Sequence, residues 1–335
     1  MELITEKQPN KDVKKRILSV RNLKVHFYTY AGVVEAIDGV NLDIHKGETL
    51  GLIGETGCGK SVTASAILKL IDPPGRIVDG EVLFNGENLL EKNDREMRKI
   101  RGSKIAMIFQ DPTTYLNPVY TIGDQVAEVI EEHQEQSSRA DIKKLTIDAL
   151  RLVRMPAPER AVNQYPHELS TGMRQRAMIA MMLSCHPELL IADEATTALD
   201  VTVQAQILHL LKELKAKLHL SLLFITHNFG VIAVICDRIA VMYAGRVIEI
   251  GSKTDIFDNP LHPYTQGLLG SIPKLGQDTT ARLKSIPGFV PKLINPPSGC
   301  RFHDRCAQKT SMCKPRKPEL IEVEKNHFVA CSLYT

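Results

Sequence analysis

The chain has 335 residues, of which 43% are apolar and 24% charged, so it is long enough for two or three domain-sized units and can bury a large core. A net charge of +3 is too small to argue for nucleic acid by itself. Residues 1–16 are polar, without the apolar stretch of a signal peptide, and no apolar run approaches the ~20 residues that span a bilayer; contact with a membrane is expected only through a partner.

In chain order, residues 1–16 read as a flexible charged tail. Residues 17–27 and two pieces within 33–44, around the turn Asp38-Gly39, read as strands. After the turn Lys46-Gly47-Glu48, the apolar run 49–53 reads as a buried strand. It leads into Gly54-Glu55-Thr56-Gly57-Cys58-Gly59-Lys60-Ser61 and then a helix over 62–70. This stretch fits G-x-x-x-x-G-K-[ST], and strand, glycine loop and helix are the context that motif needs. The glycines let successive amides point inward at an anion, and the helix N-terminus adds its positive end. Gly54, Gly57, Cys58, Gly59, Lys60, Ser61 and Val62 are therefore candidate contacts to a nucleoside triphosphate. Lys60 would reach the β- and γ-phosphates, and the Ser61 hydroxyl would ligate Mg²⁺.

Asp72-Pro73-Pro74-Gly75 ends that helix. A strand over 80–84, a turn at Asn85-Gly86, a charged helix over 88–101 and a strand over 104–109 follow. Residues 111–180 change character, with long amphipathic patterns over 121–133, 138–153 and 172–184 that read as a helical insertion. From Glu188 strands and helices alternate again to about 249. Such alternation around a phosphate loop implies an α/β fold with a mostly parallel sheet. From about Pro273 the pattern dissolves into Pro, Gly and basic residues, which reads as a separate module over 273–335.

Leu189-Leu190-Ile191-Ala192-Asp193-Glu194 is an apolar strand ending in two acids. With a phosphate loop ahead of it, Asp193 is assigned to the Mg²⁺ shell and Glu194 as the general base that activates water. Leu169-Ser170-Thr171-Gly172-Met173-Arg174-Gln175-Arg176, far beyond Lys60, puts a Ser and a Gly at a helix start, a second anion nest. At this distance in the chain it makes sense as a contact to a different nucleotide.

These eight residues resemble the signature of the ATP-binding cassette (ABC) family, in which one subunit's signature closes over ATP held by the other. The resemblance covers roughly residues 17–270, within a cassette domain expected over 17–272, and extends to further positions. Gln110 resembles the glutamine that senses Mg²⁺ and water. Ala198-Leu199-Asp200 resembles the D-loop, with Asp200 reaching across a dimer, and Thr226-His227 the switch histidine that contacts the γ-phosphate. Tyr30, with Phe27 and Tyr28 as alternatives, fits the aromatic that stacks on adenine. Thr171 departs from the family, which usually has Gly there; Thr restricts the backbone and adds bulk where phosphate must approach.

Asp111-Pro112-Thr113-Thr114-Tyr115-Leu116-Asn117-Pro118, Tyr165-Pro166-His167-Glu168 and His262-Pro263-Tyr264-Thr265 resemble one branch, the ATPase subunits of dipeptide and oligopeptide importers, which include nickel importers. That resemblance implies a second cassette subunit, heterodimeric or homodimeric. It implies two membrane permeases touching the region after Gln110, an extracytoplasmic peptide-binding protein acting indirectly, and a place on the cytoplasmic face of the membrane, with no nucleic acid. The rival reading is a soluble cassette ATPase acting on nucleic acid or the ribosome.

Cys300, Cys306, Cys313 and Cys331 crowd the C-terminal stretch. Four thiols in a small proline-rich module invite a metal, and their spacing leaves zinc, an iron–sulfur cluster and no metal all open. His303 and His327 are alternative ligands or surface residues. The branch resemblance implies a [4Fe–4S] cluster on the four cysteines.

Overall fold

The computed structural model describes residues 15–109, 112–133, 138–197, 199–272 and 285–335. Gln110, Asp111 and Ala198, which the sequence singled out, lie outside the described residues. The chain opens with two long strands, β1 (Arg16–Thr29) and β2 (Gly32–His45), then β3 (Thr49–Ile53), α1 (Lys60–Ile67), β4 (Gly75–Phe84), the short β5 (Glu87–Asn88), α2 (Asp94–Arg98) and β6 (Ile105–Ile108). The insertion follows as α3 (Pro112–Tyr115), α4 (Ile122–His133), α5 (Arg139–Leu152), α6 (Pro158–Ala161) and α7 (Thr171–Leu183). Then come β7 (Leu189–Asp193), α8 (Val201–Leu218), β8 (Ser221–Thr226), α9 (Phe229–Ile235), β9 (Arg238–Tyr243), β10 (Arg246–Ser252), α10 (Lys253–Asp258) and α11 (Pro263–Gly270). A hairpin of β11 (Ile321–Glu324) and β12 (His327–Val329) closes the chain.

Among the described residues the strands form two sheets. One is antiparallel, in the order β2-β1-β4-β5; the other runs β11-β12-β10-β9-β3-β8-β7-β6. In the second, β6, β7, β8, β3 and β9 are mutually parallel. Thr49–Ile53, Leu189–Asp193 and Ser221–Thr226 are buried at every position, as strands covered on both faces must be. Alternate residues serve two cores: Leu190, Leu222 and Phe224 pack with the helical insertion, while Ile191, Leu223 and Ile225 pack with α1 and the antiparallel sheet. Because β3, β8 and β7 are parallel neighbours, their carboxyl ends meet on one edge, where such sheets bind ligands.

The amphipathic patterns of the insertion become α4, α5 and α7 within one or two residues of the expected bounds. Ser138 starts α5 with a capping box, its hydroxyl receiving the Asp141 amide. The single charged helix expected over 88–101 is instead β5, a tight turn at Leu89–Glu91 and α2. Side-chain capping divides it: the Asn88 carboxamide accepts the Leu90 amide, and Asn93 with Glu96 forms a fresh capping box.

The C-terminal segment does not stand clear of the cassette. β12 pairs with β10 and so extends the main sheet. Val34 bridges to Ile294, and the Glu35 amide donates to the Leu293 carbonyl at 2.8 Å. The buried Arg301 donates to the Ala244 carbonyl at 2.6 Å and forms ion pairs with Glu35 and Asp38, while Arg246 and Lys317 also hold Asp38. Cys300, Phe302 and Cys313 belong to the same apolar cluster as the helical insertion. A segment that reads as core-poor by composition is therefore packed onto a core that other residues supply.

Candidate functional site

The end of β3 turns into the glycine loop, and the backbone explains the glycines. Gly57 and Gly59 have φ of 80° and 105°. A Cβ on Gly59 would lie 2.8 Å from the Ala36 carbonyl, and one on Gly54 would lie 2.1 Å from that of Met242. The loop must pass this close to β2 and β9, which only Gly permits. Gly59 ends the loop and α1 begins at Lys60, so free amides face the same cleft as the helix N-terminus. Lys60 is buried, and its Nζ donates to the carbonyls of Gly54 (2.8 Å) and Glu55 (3.0 Å). The Cys58 side chain turns away into the core, where burial raises its thiol, and its carbonyl accepts the Gly245 amide at 2.8 Å.

A cleft of about 430 Å³ is lined by Gly57, Gly59, Lys60, Ser61, Val62, Glu194 and His227, together with Ala36, Thr56 and Thr197. This size suits a small-molecule ligand. Asp193, at the end of β7, is buried, and burial raises its carboxyl; the Ser61 hydroxyl, within hydrogen-bonding reach, opposes that shift. Asp193 Oδ1 has no protein partner. A buried carboxylate oxygen left unsatisfied beside a serine hydroxyl is the donor set a Mg²⁺ ion takes, so these two residues fit that ion. Glu194 follows with φ of 49°, a rare conformation outside glycine, held by its amide donating to the Ile225 carbonyl at 2.9 Å. This turns the carboxylate into the cleft, where Oε1 lies 3.3 Å from His227 Nδ1 at the end of β8. Lys60, Ser61, Asp193, Glu194 and His227, picked out from separate stretches of sequence, thus come together.

Other candidates do not join them. Ser170, Gly172 and Asp200 line no part of the cleft. Ser170 caps α7 through the Met173 amide (3.3 Å), and Thr171 Oγ1 accepts from Arg174 at 3.2 Å. Asp200 caps α8 by accepting the Thr202 and Val203 amides, a local role that the sequence reading did not assign. Val203 is also the residue that a Cβ on Gly172 would meet, so the starts of α7 and α8 lie together. Tyr30 is fully exposed at the β1–β2 turn. Tyr28 lies under the Arg76 guanidinium, and Phe27 packs on the antiparallel sheet's core.

Among the described residues no group of three or more His, Cys, Asp and Glu could hold a metal ion, so neither zinc nor an iron–sulfur cluster has a formed site at the cysteines. The four thiols are free, and Cys300, Cys313 and Cys331 are buried. Cys300 is raised to about 11, by burial first; a hydrogen bond from the Phe302 backbone opposes this, and the charges of the other three thiols add to it. Of the alternative ligands, His327 is committed to a buried pair with Glu249 at 2.9 Å, and His303 Nδ1 contacts the Cys300 carbonyl at 2.7 Å.

Sequence reasoning missed three participants. Tyr264, seen only as a branch marker, places its hydroxyl 3.0 Å from the Glu55 amide in the phosphate loop. Glu55 itself passed as a variable loop position. Arg305, which grips Glu55, carried no signal beyond its place beside Cys306.

The family described as ABC transporter matches residues 37–197, and the one described as oligopeptide/dipeptide transporter, C-terminal region, matches 248–313. A probable peptide ABC transporter ATP-binding protein of Sinorhizobium fredii is 52% identical, over 94% of each chain. The dipeptide transport ATP-binding protein DppD of Bacillus subtilis is 49% identical over 95% of each. The oligopeptide transport ATP-binding protein OppD of the same organism is 50% identical over 94% of this chain and 88% of its own. Among solved structures, a dimeric ATP-binding cassette in a post-hydrolysis state bound to ADP and Pi is 28% identical, with a TM-score of 0.63, covering 70% of this chain and 98% of that one. With the phosphate loop, Asp193, Glu194 and His227 assembled at the carboxyl edge of its parallel sheet, the chain belongs to the ATP-hydrolysing, ATP-binding subunits of the ABC transporter family.

Proposed function

We propose that this chain is one of two cassette subunits that drive uptake of di- or oligopeptides through separate membrane permeases, at the cytoplasmic face of the cell membrane. The carrying observation is that the cleft holds the phosphate loop, Glu194 and His227 but none of the signature, so a single chain holds half of a site. The named relatives, in peptide, dipeptide and oligopeptide transport, support the cargo. No described helix is long and apolar enough to cross a membrane, which accords with separate permeases. Tyr115, Val119 and Tyr120, exposed just after Gln110, suit a permease contact. An extracytoplasmic peptide-binding protein would act indirectly, by delivering cargo.

In the assembled dimer, the amides of Gly57 and Gly59 and the Lys60 ammonium bind the phosphates. Ser61 and Asp193 would hold Mg²⁺, with Gln110 as a further ligand; bound there, the ion would supply charge neutralisation to the phosphates. Glu194 accepts a proton from the attacking water, and His227, in contact with that carboxylate, reads the γ-phosphate. Ser170 and Gly172 of each subunit complete the other's site, Asp200 reaches across, and Tyr30 stacks on adenine. Thr171 makes the site closed by this signature the weaker one, which suits pairing with a related but different chain.

The Glu194→Gln variant, mixed with ATP and its partner subunit, should remain as a nucleotide-loaded dimer in sedimentation. Free monomer at saturating ATP would overturn the two-chain site. Uptake of labelled peptide should fail in cells whose only copy carries Lys60→Ala; undiminished uptake would remove peptide import.

For the cysteines the proposal is a [4Fe–4S] cluster on Cys300, Cys306, Cys313 and Cys331, with zinc as the alternative. It is supported by the branch resemblance and by four free thiols gathered in one segment, with the other three near enough to Cys300 to raise it. Anaerobically purified chain should carry iron and sulfide in cluster proportion. Stoichiometric zinc without iron would replace the cluster with the alternative.

A further inference from the structure

Glu55 is the second residue of the phosphate loop, and its polar groups are engaged on every side. Its amide donates to Tyr264 Oη at 3.0 Å. Its carbonyl accepts Lys60 Nζ at 3.0 Å and the Cys58 amide at 3.2 Å. Its carboxylate receives both prongs of Arg305, at 2.7 and 2.9 Å. Arg305 is itself fixed. Its side chain is 7% exposed, its Nε donates to the Pro287 carbonyl at 2.9 Å, and its guanidinium lies over the rings of Tyr243 and Phe302. It stands 250 positions from Glu55, in the C-terminal segment.

A phosphate loop holds a polyanion, and a bare carboxylate in it would repel that polyanion. The bidentate guanidinium cancels the charge in the strongest geometry available to a carboxylate. Both partners are largely out of water, at 7% and 27% exposure, so the attraction is less screened than at a surface. The same carboxylate belongs to the residue whose carbonyl holds Lys60, so its seating is also the seating of the catalytic cation.

We propose that Arg305 is a positioning residue of the ATP site: by neutralising and anchoring Glu55, it lets the C-terminal segment set the affinity of the phosphate loop for ATP. This rests on the reading of the loop as an ATP site, and the controls separate the two.

ATP binding to the full chain is measured by calorimetry for wild type, Arg305→Met, the Arg305→Met/Glu55→Gln double variant and Lys60→Ala. Met keeps an apolar stem over Tyr243 and removes the cation. Arg305→Met should raise Kd about tenfold, and adding Glu55→Gln should bring it back to within about twofold of wild type. The loss should shrink in high salt. If Lys60→Ala binds as wild type does, the loop reading itself fails. If Lys60→Ala weakens binding and Arg305→Met does not, the inference is overturned. It is equally overturned if Arg305→Met weakens binding and Glu55→Gln restores nothing, because Arg305 then acts as packing alone. Should Arg305→Met not fold by circular dichroism, Glu55→Gln alone decides: an unopposed Arg305 should tighten ATP about threefold, and an unchanged Kd sinks the proposal.

Discussion

The phosphate-loop cleft and the signature face each present a helix start with Gly and a hydroxyl residue, yet they are built differently. The cleft is concave, its loop pressed between β2 and β9 and buttressed by Tyr264 and Arg305 from distant parts of the chain. At the signature, Ser170 and Thr171 are exposed and serve local turns: Ser170 caps α7 and Thr171 accepts from Arg174, while the buried Gln175 and the half-buried Arg176, which donates to the Val153 carbonyl at 2.7 Å, tie the helix to the insertion. One region carries its walls within the chain; the other presents an open helix start with nothing of its own to close over. An anion nest without walls is shielded poorly from water, so it contributes strongly only when a second surface covers it.

Perturbations should separate the two regions, and the largest effect belongs to the cleft. Lys60→Ala removes the cation proposed to neutralise the transferred phosphoryl group, and phosphate release by the assembled dimer should fall about a thousandfold. An effect under tenfold would mean that the cleft is not where hydrolysis occurs.

Next comes acid. Burial lowers the pKa of His262 to about 4, although the nearby Glu249 pulls the other way; its Nδ1 accepts the Tyr264 amide at 3.0 Å and so needs no proton. In the unfolded chain His titrates near 6.5, so between pH 6.5 and 4 the unfolded state takes the proton first. Stability should therefore drop as pH falls through that window, by about 3 kcal/mol in all, and no further from this group below pH 4. Urea midpoints from pH 7.5 to 4.5 would read it, with His262→Gln flattening the slope. Since His262 seats the Tyr264 buttress, acid should loosen the cleft before the signature face.

At the signature, Gly172→Asp sets a carboxylate where the proposed two-chain site brings the partner's phosphates. Turnover of the pair should fall about tenfold while the lone chain's own ATP affinity holds. A parallel loss of that affinity would show that the two regions are one site within a single chain. The smallest effect is Thr171→Gly, which frees the helix start for closer approach and should raise turnover of the pair about threefold; a decrease would show Thr171 to be tuned for its site.

Much of this was legible beforehand. The runs 49–53 and 189–192 had to be buried strands, because so many consecutive apolar residues suit only a sheet covered on both faces. The glycine loop between strand and helix carried its chemistry in its spacing. Other features were not legible. Asn88 and Asn93 divide a stretch whose charge pattern reads as one helix, because side-chain capping competes with propagation. The tail looked separate because its residues are poor in core, but they borrow one: β12 needs only the free edge of β10 to join the sheet.

By itself, the amino-acid sequence determined the local machinery: a loop that must cradle phosphate, acids at a strand end, a serine and glycine at a helix start. These properties belong to short stretches, whose backbone needs are met by the residues in them. Only the tertiary structure decided which stretches share a site. It put Asp193, Glu194 and His227 opposite Lys60 because β3, β8 and β7 are parallel neighbours, it left Ser170 and Gly172 outside, and it closed Arg305 onto Glu55 across 250 positions. Contacts of that span follow from how sheets and segments pack, and no window of sequence contains both partners.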